Sequence, residues 1–324
     1  MTRQSASIVV AGEALVDLVP DPAPGPSAGR NLFRAVPGGS PANVAVGLAR
    51  LGAPTHLLAR LGTGAFGAVV RGHLDANGVR LDHAVAAAEP TTLAVVSLDD
   101  AGHAAYDFYA DGTADWGWCD DELPDRLPEG AVALCTGSIA AAREPGASAL
   151  LRLVRRERAR GVASIVLDPN LRPALLPSHA HVVERWEELV TLADVVKVSD
   201  EDLAWLVPGS DPADVAERWA RSGPALVVLT RGGQGAVAFT DGGGRVAVGA
   251  RAVDVVDTVG AGDAFTAGLV DSLRLDDVLG GARRDELAGL GADALRRVLD
   301  RAARVAAITC SRRGADPPTA AELG

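Results

Sequence analysis

Short runs of continuous apolar, largely β-branched residues recur along the chain, at 7–10, 55–61, 131–135, 163–168, 194–198 and 225–230. Continuous rather than alternating apolarity is what a strand needs when both of its faces are buried. Between the runs lie helical stretches. One spans 40–51, with Ser40 as N-cap, Pro41 at the first helical position and Gly52 just past the end; another spans 145–160 and is closed by Gly161. Such alternation folds as βαβ units, so we expect an α/β protein with a mostly parallel central sheet and helices on both faces. Residues 31–36 and 91–109 break the rhythm. They are polar at alternate positions and read as antiparallel strands, the second folding back at Asp99-Asp100-Ala101-Gly102. These strands are expected to form a small β-sheet lid, whereas 20–26 and 241–244 read as loops. The expected organisation is one α/β domain over 1–324, with lid strands inserted at about 13–36 and 90–115.

The net charge of −11 argues against a nucleic-acid or membrane-surface partner, because nothing offsets repulsion from phosphate backbones or anionic lipid. A small anionic ligand stays open, since backbone dipoles act locally. Three cysteines without a C-x-x-C pair support neither a disulfide framework nor a zinc cluster, which fits a reducing cytoplasm. The apolar run 8–12 is interrupted by Glu13 and Asp17 before a signal peptide's core would be complete, and no segment reaches the 18 apolar residues of a membrane span. The pair His179 and His181 has no carboxylate or cysteine partner close in sequence and reads as a solvated loop.

Three glycine-rich stretches bear on ligand binding. Gly62, Gly64 and Gly67, with Asp82 about 20 residues on, formally match a dinucleotide fingerprint, but they do not occupy the first βα turn of the chain. In the stretch 257–268, Gly260, Ala261 and Gly262 precede a helix, where successive N–H groups and the helix dipole make an anion pocket beside the carboxylate of Asp263. Asp263 could equally be a simple N-cap. In the stretch 36–45, a Gly38-Gly39 turn leads into a helix that carries Asn43, an arrangement suited to a polyhydroxylated ligand. The chain has a single lysine, Lys197, and it follows Val195-Val196 at a strand end rather than a glycine loop, so there is no P-loop. The protein-kinase motif set is also incomplete.

Taken together, 38–52 and 257–268 resemble the paired signatures of the PfkB or ribokinase-like carbohydrate kinases. The similarity runs over essentially the whole chain. It includes Gly12-Glu13-Ala14-Leu15-Val16-Asp17, Phe108-Tyr109 with Gly112-Thr113-Ala114-Asp115, Asp168-Pro169-Asn170-Leu171-Arg172-Pro173, the segment 197–203, Thr230-Arg231-Gly232-Gly233-Gln234-Gly235, and Gly314-Ala315. The intermediate segments look most like the fructokinase branch, in which Gly62 to Gly67 is a recurrent turn.

The resemblance implies a ribokinase-like fold and an ATP-dependent sugar kinase that phosphorylates D-fructose at its 6-hydroxyl. It implies Asp263 as general base, with the N–H groups of Gly260, Ala261 and Gly262 and the cation of Arg172 at the transferring phosphoryl group. Asp17, Gly38, Gly39, Asn43, Phe108 and Asn170 would bind the sugar, and Lys197, Ser199, Thr230, Gly232 and Gly235 the nucleotide. Ser199 and Asp202 stand where the family has Asn-x-x-Glu, so Asp202 would act on Mg²⁺ through water, and Asp257 would lie at a site for a monovalent cation such as K⁺. A 2-keto-3-deoxygluconate or nucleoside kinase of the same family is the alternative within the class. A dinucleotide-dependent oxidoreductase and a non-catalytic sugar sensor are alternatives outside it. A homodimer through the edges of the lid strands is also expected.

Overall fold

The computed structural model describes residues 6–21, 32–98 and 104–324. The turn at Asp99 to Gly102, most of the loop 20–26 and Asn31 lie outside these residues. The chain begins β1 (Ser7–Ala11), β2 (Leu15–Pro20), β3 (Phe33–Gly38), α1 (Ser40–Arg50), β4 (Thr55–Leu58), β5 (Arg60–Gly62), α2 (Ala65–Ala76) and β6 (Val85–Ala87). It continues through β7 (Leu93–Leu98), β8 (Ala104–Tyr109), β9 (Ala131–Gly137), α3 (Gly146–Arg160), β10 (Ser164–Asp168), α4 (His179–Leu192) and β11 (Val195–Ser199). Then follow α5 (Asp200–Leu206), α6 (Pro212–Ala220), β12 (Leu226–Thr230), β13 (Ala236–Thr240), β14 (Arg245–Val248), α7 (Ala261–Leu275), α8 (Arg284–Ala288) and α9 (Ala292–Cys310).

Among the described residues the central sheet runs β14-β13-β12-β11-β10-β9-β1-β4, and every pair from β12 to β4 is parallel. Only β13 and β14 run antiparallel to their neighbours. The continuous apolarity of the strands is used on both faces. Ile8, Val10, Val166 and Val228 pack with α1, α7 and α9, whereas Val9, Ile165, Leu167 and Val227 pack with α3, α4 and α6. Each such fully buried aliphatic side chain stabilises the fold by roughly 1.5–3 kcal/mol.

Three expectations change. The run 55–61 is two strands, because Arg60 cannot enter an apolar sheet. The chain leaves the central sheet at Ala59, β5 pairs in parallel with β6, and the guanidinium of Arg60 bonds Glu89, Glu122 and the carbonyl of Ala114. The cap of α1 is Gly39 rather than Ser40, which lies in the first turn with its hydroxyl turned elsewhere. His179 and His181 begin α4 and are not in a loop; His179 Nε2 lies 2.8 Å from the Trp205 carbonyl, its ring against the Trp205 indole.

A separate sheet, β3-β2-β7-β8, makes the lid. Its outer pairs are antiparallel, but β2 and β7 run parallel, a pairing that alternating polarity does not foretell. The register places Asp17 beside Ala94 and Ala94 beside Phe108, so these three share one row and one face. At the lid's base Asp115 is fully buried and accepts from the Ala14 amide at 2.8 Å and from the Thr92 hydroxyl, tying together two of the crossings between lid and core.

Candidate active site

The parallel strands all end on one edge of the central sheet, the edge at which open α/β sheets place ligands. There the start of α7 meets the start of α1 and the loop after β10. Gly260 precedes α7 in the left-handed region, with φ 75°. A Cβ at this position would lie 2.4 Å from that of Ala315, so both conformation and space demand glycine. The Ala261 N–H is engaged by the Thr258 carbonyl at 3.2 Å. Those of Gly262 and Asp263 are first-turn donors, which a helix leaves free for an anion.

Asp263 is buried in a net of donors. Its Oδ1 accepts from the Ser40 hydroxyl at 2.6 Å and from Asn170 Nδ2 at 2.9 Å, and its Oδ2 accepts from Asn43 Nδ2 at 2.9 Å. Asn170 also donates to Ser40 Oγ at 2.6 Å, from a left-handed backbone with φ 36°. Asp263 is therefore not the cap of α7, which is Gly260 without a side-chain cap bond; its carboxylate faces α1 and the loop after β10 instead. At Gly39 a Cβ would meet the Glu13 carbonyl at 2.8 Å, and at Gly38 it would meet Asp17 Oδ2 at 2.4 Å. The glycine pair therefore lets the turn lie directly under the Asp17 carboxyl.

Burial pushes the Asp17 carboxyl up to about 6, with Arg172 pulling it down and Asp263 pushing it further up. Arg172 itself donates to the Leu171 carbonyl at 2.8 Å. Phe108 projects from the same lid face as Asp17 and stacks on Tyr106, with ring centroids 5.9 Å apart. Burial and the facing charge of Asp17 raise the Tyr106 phenol.

Across α7 lie the remaining expected residues. Ser199 caps α5 by accepting from the Asp202 amide at 3.0 Å. Asp202 in turn accepts from the Leu171 amide at 2.9 Å and from the Ser199 amide at 3.4 Å, so it clamps the loop that carries Asn170 and Arg172. Thr230 ends β12 and donates to the Val198 carbonyl at 3.4 Å. After it Gly232 and Gly235 turn the chain with φ 48° and 90°. Lys197 is buried, with Nζ 3.0 Å from Asp168 Oδ2. Asp257 accepts from the amides of Val259 at 3.0 Å and Gly314 at 2.8 Å.

Several residues at the site carry no sequence signal of their role there: Ser40 has the pattern of a cap, and Asp168 and Thr266 have no motif that points to the α7 turn. Glu13, whose carboxyl burial pushes up to about 7, bonds the Ala140 amide behind the Gly39 turn. Tyr106 had a signal: it precedes Phe108 by two residues, the spacing of one strand face.

The Gly62 to Gly67 turn does not form a dinucleotide site. A Cβ at Gly67 would stand 1.6 Å from the Gly62 carbonyl, and one at Gly62 would meet Thr91 Oγ1 at 2.8 Å. These glycines are spent on packing a helix against its strand and the lid's base.

A ribokinase-like sheet, an anion-binding helix start beside a buried carboxylate, and a lid whose polar face overhangs both define a phosphotransferase acting on an alcohol. The chain belongs to the pfkB family of carbohydrate kinases, whose family profile matches residues 5–321. It is 36% identical over 289 residues to a fructokinase of Rhizobium leguminosarum bv. trifolii, covering 89% of this chain and 85% of that protein. Its structure is similar to that of a fructokinase from Xylella fastidiosa with bound ATP, with TM-score 0.87, 29% identity, and coverage of 98% and 97% of the two chains. A double-mutant fructokinase from Vibrio cholerae O395, in a form with fructose, ADP and a potassium ion bound, aligns with TM-score 0.84 at 28% identity, over 98% and 97% of the chains.

Proposed function

We propose that this chain transfers the γ-phosphoryl group of ATP to the 6-hydroxyl of D-fructose, with Asp263 as general base. The observation that carries the reading is the Asp263 carboxylate, fixed by Ser40, Asn43 and Asn170 next to the first-turn N–H groups of Gly262 and its own residue. The sugar lies between the α1 turn and the lid, against Asp17, Gly38, Gly39, Asn43, Phe108 and Asn170. Asp263 accepts the proton as the hydroxyl oxygen attacks phosphorus in line. The turn Gly260-Ala261-Gly262, through the N–H groups of Gly262 and Asp263 that follow the engaged Ala261 amide, and Arg172 hold the charge of the transferring group, so positioning and electrostatics supply most of the rate. The lid excludes the water that would otherwise take the phosphoryl group. The nucleotide lies along Ser199, Thr230, Gly232 and Gly235, beside Lys197. We read 1–324 as one catalytic unit with the lid inserted in two pieces.

Mg²⁺ would enter with ATP. No group of three or more His, Cys, Asp or Glu side chains among the described residues could hold a metal, which fits an ion bound chiefly by phosphate and water. Asp202 keeps lone pairs beyond its two amide bonds and can accept from a metal-bound water. The ion would neutralise phosphate charge. A K⁺ site by Asp257 completes the set.

The proposal is tested by ADP release across fructose, ribose, 2-keto-3-deoxygluconate, tagatose 6-phosphate and adenosine. Preference for fructose in kcat/KM supports the reading, and preference for the keto-deoxy acid or the nucleoside replaces it with the sister activity. The lid's edge strands β3 and β8, with Phe33 and Tyr109 exposed, are the proposed homodimer contact, to be checked by light scattering. Among the described residues no helix is long and apolar enough to cross a membrane. We place the enzyme in the cytoplasm on its cysteines, three without a C-x-x-C pair.

A further inference from the structure

We propose that Lys197 is a positioning residue for phosphoryl transfer, acting from beneath the first turn of α7 and without touching the nucleotide. The inference rests on the reading of that turn as the transfer site. Lys197 is 3% exposed, and its Nζ donates to both oxygens of Asp168, at 3.0 and 3.3 Å. The Thr266 hydroxyl lies 2.8 Å from Asp168 Oδ2 and 3.1 Å from the Gly262 carbonyl, so the pair is fastened to the turn itself. A Cβ on Gly262 would stand 3.3 Å from Nζ. The ammonium therefore lies against the first turn of α7, at the α-carbon of Gly262.

A buried ion pair seldom stabilises a fold more than an apolar pair of the same volume would, so stability gives weak reason for the only lysine in the chain to be here. Burial lowers the pKa of this lysine, but the charges of Asp168, Asp202 and Asp263 around it outweigh burial and hold it above the usual range. The pair is neutral overall yet oriented, with Nζ 3.3 Å from where a Cβ of Gly262 would stand and Asp168 Oδ2 held by the Thr266 hydroxyl. In a low-dielectric setting such a dipole adds to the field of the α7 start where negative charge gathers during transfer.

The test is a double variant, Lys197→Met with Asp168→Asn, which removes the dipole without stranding a charge. We expect cooperative unfolding as in the wild type, KM for MgATP and fructose within about twofold, and kcat lower by about 10- to 100-fold. Inhibition by ADP with aluminium fluoride in the presence of fructose should weaken by the same factor, while ADP alone binds as before. An unchanged kcat overturns the proposal, since the pair would then be only structural. A raised KM for MgATP with kcat intact overturns it too, since the lysine would then be a direct nucleotide ligand. Should the double variant not fold, Thr266→Val unfastens the pair from the turn and must show the same loss in kcat at constant KM. Asp263→Asn separates the two readings: if it is inactive while the double variant is wild-type-like, only this inference falls.

Discussion

Ser40 donates its hydroxyl hydrogen to Asp263 at 2.6 Å, joining the first turn of α1 to the first turn of α7 across 223 residues of sequence. This bond fixes the lone pair that has to meet the substrate's proton. Replacing Asp263 by Asn keeps the shape and removes the base, so kcat should fall by about 10³-fold with fructose binding by calorimetry near wild type. Ser40→Ala should cost about tenfold in kcat. Wild-type turnover in Asp263→Asn would end the assignment.

The left-handed Gly260 and its contact with Ala315 predict that Gly260→Ala destabilises by about 2 kcal/mol or more, visible as a melting temperature lower by a few degrees. Gly233→Ala, in the turn after β12 with open space around the position, serves as the control and should melt like the wild type. Equal melting of the two variants would contradict the packing described for the α7 start.

Asp17 titrates near 6, inside the range of a routine rate profile. Ionised, it accepts hydrogen bonds from the sugar hydroxyls on both oxygens, and protonation turns one of these acceptors into a donor, so kcat/KM for fructose should decline as pH falls below about 6. In Asp17→Asn the residual rate should lose that decline. A decline persisting in the variant at the same pH would assign it to another group.

Glu13 makes a stability prediction with a definite sign. Its pKa in the folded protein, about 7, exceeds the ordinary 4.5, so the fold holds this proton more tightly than the unfolded chain does. That contribution is complete below pH 4.5 and is lost as pH rises through 7. Glu13→Gln cannot ionise and keeps an acceptor for Ala140. Urea denaturation should therefore find the variant close to wild type at pH 4.5 and more stable by about 1–3 kcal/mol at pH 8. A variant less stable at pH 8 than at pH 4.5, relative to wild type, would reverse the sign.

The strands of the central sheet were legible because two-sided burial writes itself into a run such as Ala225 to Thr230. The breaks were not. Arg60 sits inside an apolar run, and only its partners Glu89 and Glu122, tens of residues away, show why the chain turns there. At the site, Asp263 and Asn43 carried local motifs. Ser40 carried a misleading one, since a serine ahead of Pro41 is also what a capped helix looks like. Asp202 matched a motif by position, yet the clamp it places on Leu171 depends on a loop 31 residues earlier in the chain. Long-range partners of this kind leave no periodicity to read.

The burial of Lys197 gives the chain a chemical label of its own conformational state. Every other cationic side chain that acylating reagents could mistake for an amine is arginine or histidine, and the single ε-amine is shut behind α7. A pulse of an amine-acylating reagent should modify position 197 only in molecules that have opened. Peptide mass spectrometry would then count opening events one site at a time, turning the lysine beneath the phosphoryl pocket into a clock for unfolding.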